Sequence, residues 1–369
     1  MNDLRRTPLY PLQAEHGARF VPFAGYEMPV QFSGVVAEHN AVRTAVGLFD
    51  VSHMGEFIVE GPEARKGLQY AVTNDVEKLV DGGAQYTVIC RQDGGIVDDL
   101  IVYQQSPTRF FLVVNASRRT EDFAHFEKVL AKFDCTLSDV SDDWAQLALQ
   151  GPKALEMLST LTDVDLDAMK PFSFVDTTVG GVPDVRVART GYTGEEGVEL
   201  YCAADAGPAL FTALDAAGEA FGMAHCGLGC RDTLRLEMKY ALYGNDIDEA
   251  HNPYEAGLGW VVKLKKGDFH GRDALASVKE AGPTQKLVGF KMKARGIPRH
   301  GYAIRIHGAD AGVVTSGTHS PSLGEPIGVG YVPVSHATVG SAVEIVIRDK
   351  PVAAEVVKTP FYVLSQEKS

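Results

Sequence analysis

Lys286-Leu-Val-Gly-Phe-Lys-Met-Lys293, Tyr302-Ala-Ile-Arg-Ile-His-Gly308, Ala311-Gly-Val-Val-Thr-Ser-Gly317, Ile327-Gly-Val-Gly-Tyr-Val-Pro333, Ser341-Ala-Val-Glu-Ile-Val-Ile347 and Ala353-Ala-Glu-Val-Val-Lys358 follow one another with little between them but turn residues. Short runs of β-branched and apolar residues, punctuated at regular intervals, read as strands. An unbroken series of them predicts a small closed or sandwiched antiparallel β-domain at the C-terminal end.

Upstream the rhythm changes. Gly55–Glu60 alternates like a strand, and residues 62–71 read as a helix. Residues 85–90 and 96–103 are two strands across Arg91-Gln-Asp-Gly-Gly95, a hairpin turn sequence. Residues 109–115 form a further strand, and 117–133 a helix with one apolar face. Strand, helix, several strands, helix describes an antiparallel α+β unit. Beyond it lie a strand at 145–149, a helix at 153–160, a Gly-rich hairpin region at 174–202, and helices at 208–221 and 227–242. In the first 50 residues, 33–45 reads as a helix with Ser33 as N-cap. The fold class expected is α+β.

Composition narrows the function classes. The 369 residues carry a net charge of −13, which argues against a broad nucleic-acid-binding surface. No apolar run approaches the ~20 residues of a membrane helix. The opening Met1-Asn-Asp-Leu-Arg-Arg-Thr-Pro8 has no apolar segment, so a cytoplasmic setting is expected. Five cysteines, an odd number, fit reducing conditions better than a disulfide framework. Cys226 and Cys230 sit four apart beside His225, but no second Cys/His pair is near in the chain, so no metal site is expected. The basic stretch Lys263–Arg272, with Lys265 and Lys266, reads either as a solvated face or as a docking patch for an acidic partner.

Generic motifs leave the function open. There is no Walker A sequence, no strand-linked G-x-G-x-x-G, no G-x-S-x-G and no His-Glu-x-x-His. Three segments nonetheless hold chemistry-bearing residues. Gly94–Tyr103 sets two acids in an apolar strand. Alternation places Asp99 with Val97, Ile101 and Tyr103, and Asp98 with Leu100 and Val102. A carboxylate among aliphatic side chains needs a partner and would be pushed toward proton exchange or cation stabilisation. The alternative is that one Asp caps the hairpin and the other faces solvent. Arg189–Tyr201 is a turn running into a strand, with Glu199 and Tyr201 on one face and Glu195 and Glu196 at a solvated turn. Glu199 could take paired hydrogen bonds from an amidine-like heterocycle or be a surface residue. Gly227–Met238 puts Arg231 and Arg235 four apart on one helix face, where they could bind a carboxylate or stack, or else be solvated or paired locally with Asp232 and Glu237.

Together these pieces resemble the folate-dependent T-protein family of glycine cleavage. The resemblance starts at Arg5–Tyr10 and continues through Phe23–Tyr26, Leu48–Met54, Gly94–Tyr103, Ala148–Pro152 and Gly191–Gly194. It goes on through Arg231–Glu237 and Leu242–Asp248 to Thr315–Gly317 and Gly330–Pro333, so it covers nearly the whole chain in order. It implies three domains around a central folate-binding opening: a discontinuous first domain at 1–54 and 142–275, an inserted α+β domain at 55–141, and a β-barrel-like domain at 276–369.

By resemblance, Asp99 is the catalytic acid beside the reacting nitrogens of tetrahydrofolate, Glu199 a folate-binding acid and Arg231 a folate-binding arginine. Met54, Tyr86, Tyr103, Val114, Asn115 and Tyr192 correspond to pocket lining. Tyr362, near the C-terminal end, has no role carried over. The implied reaction is aminomethyl transfer. The lipoylated carrier (H-protein) presents an aminomethyl group, folate N5 and N10 take its carbon, and ammonia leaves. No membrane or nucleic acid takes part. An alternative with the same fold is a folate-dependent demethylase of a small methylated substrate, and a non-catalytic folate-binding protein is a further rival.

Overall fold

The computed structural model describes residues 4–363. The outer ends of the expected first and last segments, 1–3 and 364–369, lie outside the described residues. The chain divides into two compact units. One comprises residues 1–67, 76–85 and 100–232, and the other 68–75, 86–99 and 233–369.

The first unit is built on a six-stranded sheet. Its order is Phe174–Val179, Val182–Ala188, Gly197–Ala203, Trp144–Gln150, Val46–Asp50, Met223–Cys226. All pairs are antiparallel except the last, where His225 runs parallel beside Leu48. Its apolar face carries Leu147, Leu149, Val185, Val187, Val198 and Leu200, all buried. Helices Ala154–Ser159 and Gly207–Gly218 cover that face with Met157, Leu158, Leu210 and Leu214.

A five-stranded antiparallel sheet follows the order Ala84–Cys90, Ile96–Ser106, Arg109–Val114, Gly55–Glu60, Thr136–Asp139. The boundary between the units falls within its first two strands, after Gln85 and before Leu100. The expected hairpin turn is present: Arg91 N donates to Gly95 O at 2.8 Å, and Asp93 Oδ1 accepts Gly95 N at 3.1 Å. Asp93, not Asp98 or Asp99, is thus the acid that shapes the turn.

In the second unit the C-terminal strands close into a six-stranded barrel. The order is Gln285–Met292, Glu325–Pro333, Ala309–Ser320, Ala303–Ile306, Ala342–Ile347, Lys350–Val357. Alternate residues, among them Phe290, Ile304, Val314, Ile345 and Val356, fill its interior. The closed form of the two expected is the one adopted, which leaves no open sheet edge.

Two helix ends differ from expectation. The early helix is Val35–Thr44, and its N-cap residue is Gly34, with no side-chain cap. The buried Glu38 does that work: its Oε1 accepts the amides of Phe32 at 2.6 Å and Gly34 at 2.9 Å, and its Oε2 accepts Gly227 N at 2.9 Å. A carboxylate in the first turn thus takes the orphan amide of the N-cap residue itself and amides of two neighbouring segments. The helix expected over 227–242 ends at Glu237. There the Glu237 carboxylate accepts Ser320 Oγ at 2.5 Å and Ser322 Oγ at 2.7 Å. Lys239 then turns at a φ of 57°, outside the helical region. Among the described residues no helix is long and apolar enough to cross a membrane.

Candidate active site

Strand Ile96–Ser106 presents its two acids on opposite faces, as alternation requires. Asp98 is fully buried with Leu100 and Val102, while Asp99 is half-buried. Neither simply faces solvent. Asp99 Oδ2 accepts the Tyr86 hydroxyl at 2.9 Å. The Tyr86 ring stacks on Trp260, with centroids 5.7 Å apart and planes inclined by 20°. Trp260 is 59% exposed, on the short 3₁₀ turn Gly259–Val261. Asp99, Tyr86 and Trp260 therefore form one acid–phenol–indole series in the second unit. Trp260 escaped the sequence reading because no local pattern marks it.

In the first unit, Glu199 lies on strand Gly197–Ala203 and is half-buried. Thr190 Oγ1 donates to its Oε2 at 2.5 Å, the Tyr201 hydroxyl reaches Oε2 at 3.4 Å, and Gln146 Nε2 donates to Oε1 at 3.2 Å. Tyr103 closes the network, its hydroxyl 3.1 Å from Thr190 Oγ1 and 3.0 Å from the Tyr201 hydroxyl. Burial raises the pKa of both phenols, with the Glu199 charge adding to it, so they remain protonated. Glu199 is thus a positioned acceptor in a frame of neutral donors, not a loose surface acid.

Arg231 lies on helix Leu228–Glu237, its guanidinium carbon 4.5 Å from the centre of the Tyr192 ring. The turn that carries the ring is held by Gln150. That amide donates to Thr190 O at 3.2 Å and Val198 O at 3.1 Å and accepts Thr193 Oγ1 at 2.9 Å. A Cβ at Gly191 would lie 2.1 Å from Gln150 Oε1, so only glycine lets the turn close over this amide. Glu195 at the same turn is paired with Arg43 at 2.9 Å, both almost fully buried, contrary to the solvated position expected. Its charge is compensated by the guanidinium, which makes the burial tolerable.

The loop before Met54 is held equally firmly. Asp50 accepts Thr7 Oγ1 at 2.6 Å, Gln13 Nε2 at 2.5 Å and Ser52 N at 2.8 Å. Ser52 Oγ in turn bonds the backbone of Gln146, accepting its amide at 2.9 Å and donating to its carbonyl at 3.1 Å. Met54 consequently packs beside Tyr103, Phe111 and Tyr201. His53 is fully enclosed, and burial, with the Arg231 charge second, lowers its pKa to about 3. It is neutral at ordinary pH.

The remaining expected lining residues differ in exposure. Val114 is fully buried, its Cγ2 only 2.7 Å from where a Cβ on Gly55 would sit, so it packs behind the strand surface. Asn115 is half-buried at the N-cap of Ala116–Arg118. Arg235 is not a second ligand-facing cation. It is buried, donating to Asp246 Oδ2 at 2.5 Å and Ser316 Oγ at 2.8 Å. Asp246 Oδ1 also accepts Thr315 Oγ1 at 2.5 Å, so two of the quoted motifs, Leu242–Asp248 and Thr315–Gly317, serve packing in the second unit.

Within the basic stretch Lys265 is exposed, as expected, but Lys266 is not a surface cation. Lys266 Nζ donates to three carbonyls, Gln69 O at 2.5 Å, Val72 O at 2.6 Å and Asn74 O at 2.7 Å. That ammonium serves the end of helix Ala64–Ala71 and is not offered to a partner.

An α+β chain whose C-terminal strands close into a six-stranded barrel has the architecture of a transferase family. The chain belongs to the glycine cleavage T-protein family of aminomethyltransferases. The GCVT N-terminal domain matches residues 9–266 and the glycine cleavage T-protein C-terminal barrel domain residues 285–362. It is 52% identical to an aminomethyltransferase of Symbiobacterium thermophilum over 98% of both chains. It is 48% identical to one of Bacillus subtilis over 97% of this chain and 99% of that one. The crystal structure of glycine cleavage system aminomethyltransferase T from Bartonella henselae matches with a TM-score of 0.92 at 35% identity, over 98% of this chain and 99% of that one.

Proposed function

We propose that the chain takes the aminomethyl group of the lipoylated H-protein, releases ammonia and leaves the carbon on tetrahydrofolate as 5,10-methylenetetrahydrofolate, with Asp99 as the catalytic carboxylate. The observation that carries the residue assignment is the half-buried Asp99 carboxylate, held by the Tyr86 hydroxyl at 2.9 Å.

The donor set suits a pterin-like heterocycle with a carboxylate tail. A carboxylate offers about four lone-pair positions, and the Thr190, Tyr201 and Gln146 donors leave Glu199 capacity for an incoming N–H. Arg231, its guanidinium over the Tyr192 ring, is a cation of the kind that pairs with a carboxylate tail. Bound tetrahydrofolate supplies the two nitrogens that accept the carbon. Asp99, ionised, stabilises positive charge developing beside those nitrogens and can accept a proton from one of them. Tyr86 fixes the carboxylate rotamer. Glu199 and Arg231 hold the ring and tail, with Met54, Tyr103, Asn115 and Tyr192 along the walls. Two large substrates are brought together by position, and no covalent bond to the enzyme is needed.

In this reading 1–54 with 142–275, 55–141 and 276–369 act as the family's three segments. A reducing cytoplasm suits a chain whose five cysteines are all free. Calorimetric titration with tetrahydrofolate tests the binding roles. Glu199→Gln and Arg231→Lys should each weaken binding about tenfold, the ~1.4 kcal/mol of one well-placed charged hydrogen bond. Unchanged affinity in both would remove them from the site.

A further inference from the structure

We infer that His16, Asp215 and His225 form a binding site for a divalent transition-metal ion, Zn²⁺ being the ion their chemistry suits. The three residues come from separate elements of the first unit. His16 caps helix Tyr10–Glu15, Asp215 lies on helix Gly207–Gly218, and His225 lies on strand Met223–Cys226. One ligand atom of each lies within 4.8 Å of the other two.

The carboxylate faces both rings through different oxygens. His225 Nε2 is 2.8 Å from Asp215 Oδ1, and His16 Nε2 is 3.5 Å from Asp215 Oδ2. The ring centroids are 4.2 Å apart. Phe211 stacks on His225 at 5.2 Å and meets His16 edge-on at 5.6 Å, so one aromatic wall orients both imidazoles. Metal bonds of about 2.0–2.2 Å in a tetrahedron place ligand atoms roughly 3.4 Å apart. The ligand atoms lie within 4.8 Å of one another, so side-chain adjustments of about 1 Å would gather both imidazoles and one Asp215 oxygen around an ion.

Two imidazoles and a carboxylate favour Zn²⁺ and its neighbours over Mg²⁺ or Ca²⁺, which demand oxygen ligands. His225 is mostly buried, and burial followed by the neighbouring His16 lowers its pKa, which favours the neutral ring that ligates. His16 is at the surface, so water can complete the fourth position. Reading His225 only with Cys226 and Cys230 hid the set, because its other members lie far away in the sequence. None of the three belongs to the candidate active site. The ion would instead tie the N-terminal helix to the sheet edge, and an ion bound only by the folded state raises stability by mass action.

The test uses the full-length protein stripped with a chelator and titrated with Zn²⁺, followed by calorimetry and thermal unfolding, with Co²⁺ as an optical probe. Wild type should bind a single equivalent, rise in Tm, and give the visible bands of tetrahedral Co²⁺. His16→Gln, the more exposed imidazole, and Asp215→Asn, each checked for an unchanged metal-free Tm, should lose all three responses. Absence of stoichiometric binding to wild type, or binding retained equally by both variants, overturns the site.

Discussion

The Tyr86 hydroxyl donates to Asp99 Oδ2 at 2.9 Å while the same ring stacks on the exposed Trp260. One side chain therefore orients the proposed catalytic carboxylate and is itself oriented by an indole. Tyr86→Phe keeps the stack and removes the bond. A hydrogen bond to a charged group is worth about 1.5–3 kcal/mol, so kcat/KM should fall about 10- to 100-fold. Steady-state ammonia release measures this, and an unaltered rate would show that the bond does not position Asp99.

Gly191→Ala drives a methyl group against Gln150 Oε1, 2.1 Å from the Cβ position. The strain should cost about 1–3 kcal/mol. Because Gln150 sets the turn bearing Tyr192, tetrahydrofolate affinity should fall together with Tm. A stable variant with normal affinity would contradict the proposed positioning.

His53 gives the first unit a pH dependence. Its pKa in the folded protein is about 3, against 6.5 as the ordinary value. The unfolded chain therefore binds the extra proton between these values, and stability is full above pH 6.5 and lost as pH falls toward 3. For this one group the loss between pH 7 and pH 5 is roughly 2 kcal/mol. Urea unfolding at the two pH values should show it in wild type, and His53→Gln should show a smaller difference. An equal difference in both would assign the acid sensitivity elsewhere.

Lys265 and Lys266 separate surface from structure. Lys266→Ala strips three carbonyls of their donor and should lower stability by about 2–3 kcal/mol. The exposed Lys265→Ala should stay within about 0.5 kcal/mol of wild type. Denaturant midpoints decide it, and comparable small effects would return Lys266 to the surface patch.

These contrasts show what the amino-acid order makes legible. The barrel strands and the Arg91–Gly95 hairpin were readable because alternation and turn residues are local signals. The two faces of strand Ile96–Ser106 follow from a two-residue period, which is why Asp99 could be separated from Asp98. Met223–Cys226 carries too little pattern in four residues to be read as a strand, and its partner Val46–Asp50 is buried throughout, without alternation. Glu38 displaced Ser33 as the capping group because a side chain one turn into the helix can reach back, a choice made by geometry rather than propensity. Lys266, Trp260 and Arg235 owe their roles to residues remote in the chain, and no local window contains those partners.

The most direct test of the central claim is ammonia release from an aminomethylated lipoyl carrier, with and without tetrahydrofolate, for wild type and Asp99→Asn. Wild type should release ammonia only with tetrahydrofolate, and the variant should lose nearly all release while retaining tetrahydrofolate binding. Full activity of Asp99→Asn would contradict the role of the carboxylate, and release by wild type that ignores tetrahydrofolate would contradict the reaction itself.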